Sequence, residues 1–126
     1  MGIINQFKLF ISHKGFFYPE YEGILEISSA TTKLQFLVNG SLQTLELTGK
    51  EKIFWNEINQ TGIFECDGKH YEIEGWDGYH WSLEMQIDDK SVCLDGTSDH
   101  PDEFASVMKV LFRYGLRKSE NNPIKV

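Results

Sequence analysis

The chain has 126 residues, 40% of them hydrophobic and 25% charged, with 19 acidic against 12 basic side chains and a formal charge of -7. That length suits one domain hiding roughly two-thirds of its unfolded surface, and the composition lies far from that of disordered chains. The negative field repels phosphate backbones and acidic membranes, so nucleic acid and lipid are disfavoured as partners and a basic protein is favoured.

At the N-terminus, Met1 to Lys8 carries no basic n-region and no long apolar run, so no secretory signal is expected, and Gln6 breaks the myristoylation pattern that Gly2 would open. No window reaches the apolar length of a membrane span. The two cysteines, Cys66 and Cys93, form no CxxC pair and read as cytosolic thiols, which predicts a cytoplasmic protein. Phe7, Leu9 and Ile11 alternate with Lys8, Phe10 and Ser12 in a first strand ending near Lys14-Gly15. Phe16 to Tyr21 then breaks regularity at Pro19. Ile24 to Ser28 and Lys33 to Val38 are the next strands, and Asn39-Gly40 predicts a tight hairpin into Ser41 to Leu47. The change of apolar phase between Leu42 and Leu45 predicts a bulge or a longer loop.

Thr48 to Gly62 reads as a loop with buried anchors, where Phe54, Trp55 and Ile58 fit either one helical turn or an irregular strand. Ile63 to Cys66 is expected as a short strand turning at Asp67-Gly68 into Lys69 to Gly75. A three-residue loop at Trp76-Asp77-Gly78 then sets Ile73 opposite Trp81 and Tyr71 opposite Leu83, which gathers the apolar residues on one face. A turn over Asp88 to Ser91 continues that register, with Ile87 opposite Val92 and Met85 opposite Leu94.

Pro101, Asp102, Glu103 and Gly115 carry start and stop signals for a helix from Pro101 to Tyr114. Phe104, Val107, Met108, Leu111 and Phe112 form its apolar stripe. The predicted fold is α+β: a meander of about six or seven antiparallel strands with this one helix packed on the sheet. Residues 1–118 form a single domain, and 119–126, lacking periodicity, are expected to fray.

Cys66, His70 and His80 are the only set resembling metal ligands, but their spacing fits no zinc module and a closed site needs a fourth ligand such as Glu74 or Asp77. No nucleophile motif, phosphate loop or HExxH is present, so neither catalytic residues nor a cofactor are expected. The register instead collects Glu72, Glu74, Glu84 and Asp95 on the outer face, with His80 opposite Glu74. An open face lacks the pocket that separates the pKa values of an acid and a base, so these carboxylates suit docking better than catalysis. Phe17, Tyr18 and the turn residue Trp76 are candidate aromatic anchors.

Trp76 to Met85, followed by Gly96, Pro101 and Phe104, resembles a pattern of small uncharacterised bacterial proteins in which a DGxxWxLxI strand precedes a glycine and a Pro-x-x-Phe helix start. The likeness covers Tyr71 to Phe112, with Met85 at the usual aliphatic position, and implies a shared fold. Some similar small acidic bacterial proteins are immunity proteins, and the resemblance implies such a role here. The expectation is a non-catalytic acidic protein that binds a basic partner, an immunity protein against a toxin. Its rival is a scaffold module holding a neutral partner with the aromatic loop.

Overall fold

Alternation sets Phe7, Leu9 and Ile11 on one side of β1 (Ile4–His13), and the same period buries Leu34, Phe36 and Val38 of β3 (Thr32–Val38). The computed structural model describes residues 4–13, 21–27, 32–73, 78–119 and 122–124. With β2 (Tyr21–Ile27), β4 (Ser41–Glu46), β5 (His70–Glu72), β6 (Tyr79–Ile87) and β7 (Lys90–Thr97) these strands make one seven-stranded sheet in the order β4-β3-β2-β1-β6-β7-β5. The α+β class, the antiparallel character and the C-terminal helix are as the sequence implies.

The chain pairs in sequence order from β1 to β4, and Asn39 (φ 51°) and Gly40 (φ 82°) supply the left-handed pair that a tight hairpin needs. The expected bulge in β4 is absent. Its ladder with β3 runs unbroken from Val38↔Ser41 to Lys33↔Glu46, and the phase break is met by leaving Leu42 63% exposed on the outer face. The β6–β7 hairpin turns on two residues, with Asp88 at φ 51°, so Ile87 faces Lys90 and Met85 faces Val92. The expected four-residue turn is wrong by two positions, a shift that keeps every side chain on its predicted face.

The largest correction concerns β5, which pairs in parallel with β7 and not with β6. Tyr71 faces Gly96, which on its other side faces Trp81. Gly96 has no side chain, so the two rings close over it to 6.2 Å between centroids. Burying that aromatic pair outweighs the hairpin register. Ile73, expected in the core, follows the end of β5 and is 46% exposed.

Helix α2 (Asp102–Arg113) begins after Pro101 and lays Phe104, Val107, Met108 and Leu111 into the core, while Phe112 is only half-buried. Each fully buried side chain of this kind contributes about 1.5–3 kcal/mol. The helix crosses the inner face from Trp81 of β6, stacked on Phe104 at 4.1 Å, to Tyr21 of β2, whose ring lies 6.3 Å from that of Phe112. The segment expected as a loop contains a second helix, α1 (Glu51–Gln60), with Phe54 and Ile58 buried one turn apart and Gly62 at φ 81° after its end. Ile63–Cys66, expected as a strand, is a 3-10 turn.

Of the tail from 119 to 126, residues 119 and 122–124 are described, and they contact the body of the fold. Ser119 N–H donates to the Tyr21 hydroxyl, Asn122 hydrogen-bonds the main chain of Ile124, and Ile124 is buried in the core.

Candidate functional site

The helices occupy the inner face of the sheet, so its outward-pointing side chains are set by strand parity alone. On that face lie Glu22 and Glu26 of β2, Glu46 of β4, Glu72 of β5, Glu84 of β6 and Asp95 of β7, against Lys8 and Lys33. Among the described residues of this face the carboxylates outnumber the ammonium groups threefold. Much of the chain's negative charge is therefore concentrated on one surface.

Of the predicted site residues, the structure brings Glu72 and Asp95 together, although by parallel pairing. His70 bridges them, its Nδ1 2.7 Å from Asp95 and its Nε2 3.1 Å from Glu72. These hydrogen bonds, first to Asp95 and then to Glu72, raise the His70 pKa above its ordinary value. The shift favours the protonated imidazole, the form that offsets part of the acidic field at the β5 edge. Glu84 stands one strand further in, opposite Cys93, whose thiol donates to it at 3.6 Å. Partial desolvation, then the Glu84 carboxylate, pushes the Cys93 thiol up, which disfavours the thiolate a nucleophile needs. His80 faces Thr97, with 3.1 Å between its Nδ1 and the hydroxyl. Glu74, its expected partner, lies outside the described residues, as do Phe17, Tyr18 and Trp76.

Cys66 is buried while His70 and His80 project outward from strands separated by β7. Among the described residues, no group of three or more histidine, cysteine or acidic side chains could hold a metal ion.

Sequence reasoning missed a groove on the same face. Among the described residues β1 and β2 pair at Phe10↔Glu22 and Ile11↔Tyr21, and the ladder does not continue toward Lys8 and Ile24. Below this opening the ring of Phe36 lies against Gly23, where an added Cβ would meet it at 2.7 Å, and reaches Phe7 edge-to-face at 6.0 Å. The groove holds about 580 Å³, and its lining includes Lys8, Phe10, Glu22, Ile24, Ser82 and Glu84. Phe10 and Ile24 are exposed in it, at 37% and 51%. The signal was present: both residues are apolar at positions of polar phase, as is Leu42.

A third polar group sits at the end of β6. The Tyr79 hydroxyl lies 2.6 Å from His100 Nδ1. Burial, then Asp99, pushes Tyr79 up to about 12, and burial lowers His100 against the pull of Asp99 and Asp102. At neutral pH the phenol therefore donates to an uncharged imidazole. The pair, with Trp81 Nε1 donating to the Asp99 carbonyl at 2.6 Å, fastens the loop before α2.

No protein-family model, curated protein or solved structure matches the chain. No helix among the described residues is long and apolar enough to cross a membrane.

Proposed function

We propose that this protein is a non-catalytic binding protein whose outer sheet face docks a basic protein partner, and that the partner is a bacterial toxin it neutralises. The observation that carries the reading is the gathering of Glu22, Glu26, Glu46, Glu72, Glu84 and Asp95 on one face, against Lys8, Lys33 and the bridging His70 among the described residues. Such a face steers a cationic protein and accelerates encounter, which suits an inhibitor that must bind before its target acts. Exposed Phe10, Ile24 and Leu42 add apolar area that long-lived complexes use at their centre. The toxin as partner rests on the likeness in the Trp76 to Phe104 segment. A cytoplasmic site of action accords with the free thiols of Cys66 and Cys93.

Capture on the immobilised protein, followed by co-expression with each captured basic protein, tests this reading. A captured protein that arrests growth alone and not in company with this chain is the expected result. Captured partners that are neutral or acidic, and that the chain does not restrain, would remove it.

A further inference from the structure

Glu22 and Glu84 enter the β1–β2 groove from strands on either side of β1. Glu22 pairs with Phe10 and Glu84 with Lys8, two residues apart along β1, so with strands about 4.8 Å apart and a rise of about 3.4 Å per residue their backbones stand roughly 12 Å from one another on a diagonal. Among the described residues neither carboxylate has a cation within ion-pair distance: Glu84 accepts the Cys93 thiol, and Lys8, directly opposite Glu84 on β1 and on the same lining, makes no ion pair with them. Two carboxylates against one ammonium leave the lining negative. Phe10, paired with Glu22 on β1, and Ile24, two residues past Glu22 on β2, present an aromatic ring and an aliphatic branch to solvent.

We infer that this groove seats an arginine side chain of the basic partner, an inference that rests on the docking role proposed above. The three-carbon stem lies along Ile24, the guanidinium plane covers the Phe10 ring, and its N–H groups donate outward to Glu22 on one side and Glu84 on the other. An ammonium is a point donor and does not span two walls, whereas the guanidinium donates from opposite edges of a rigid plane. Arginine anchored in a partly dry pocket is also among the side chains that dominate interface energetics.

The test uses the peptide acetyl-Gly-Val-Arg-Val-Gly-amide, with lysine and citrulline versions, titrated into the isotopically labelled full chain at low salt and followed by amide chemical shifts. The arginine peptide should move the amides of Phe10, Ile24 and Glu84, and bind at least about threefold tighter than the uncharged citrulline peptide. Glu22→Gln and Glu84→Gln, near-isosteric changes of half-buried groups that should retain the native spectrum, should each weaken it by a similar factor. Equal binding of the citrulline peptide, or of the lysine peptide, overturns the arginine assignment. Shifts confined to His70, Glu72 and Asp95 overturn the groove and leave the acidic face standing as a docking surface. Absence of any shift also overturns the groove, and the docking role is then decided separately by the native partner's response to salt.

Discussion

Gly96 lies directly beneath the Trp81 indole: a Cβ there would stand 2.5 Å from Trp81 Nε1 and 2.7 Å from the Asp99 carbonyl oxygen. The clash with a backbone atom has no flexible end to move aside. Gly96→Ala should therefore destabilise the fold by about 1–3 kcal/mol, as overpacking does. Loss of the Trp81 to Asp99 hydrogen bond should also shift tryptophan emission in the native state. Denaturant unfolding checks the first, and an unchanged midpoint would mean that the loop before α2 is not fastened in this way.

His70 and His100 should titrate in opposite directions from 6.5. Hydrogen bonds to Asp95 and Glu72 raise His70, so the stability it contributes is complete below the unfolded pKa and is lost as pH rises through the higher folded value. Burial lowers His100, so its contribution is complete above 6.5 and is lost as pH falls toward the lower folded value. Ring-proton NMR titration should give one midpoint above and one below 6.5. Asp95→Asn should bring the His70 midpoint down and leave that of His100 in place.

Helices α1 and α2 share one core, since the rings of Phe54 and Tyr114 meet edge-to-face at 5.0 Å. Leu111→Ala should cost about 2–5 kcal/mol and Phe54→Ala about 3–5 kcal/mol, in a single unfolding transition. Ile53→Ala, on the exposed side of α1, should stay within about 0.5 kcal/mol. Two separate transitions in urea would show that α1 is not part of the same cooperative unit.

Strong periodicity made β1, β3, β6, β7 and α2 legible in the sequence, because in each a single face is buried and the pattern follows it. Helix α1 was hidden by its brevity: only Phe54 and Ile58 are buried, and neighbouring Ile53 and Trp55 blur the period. The partner of β5 was hidden for a different reason. Tyr71 could satisfy its apolar side against β6 or β7, and the choice depends on the space above Gly96, which no local pattern encodes. The motif from Trp81 to Phe104 is explained by packing: tryptophan over glycine, a hydrogen bond to Asp99, and stacking on Phe104. For the candidate site, parity placed Glu72, Glu84 and Asp95 on the outer face. The bridge by His70 and the groove at Gly23 arise from pairing between distant segments.

The docking role is tested most directly by the association rate of the captured partner, measured by stopped flow across ionic strength for the native chain and a Glu22→Gln, Glu72→Gln, Glu84→Gln variant. The native chain should bind fastest at low salt and lose roughly tenfold or more in rate as the salt is raised, while the variant should start slower and respond less. Equal rates for the two chains at low salt, with no dependence on ionic strength, would contradict a docking role for the acidic face.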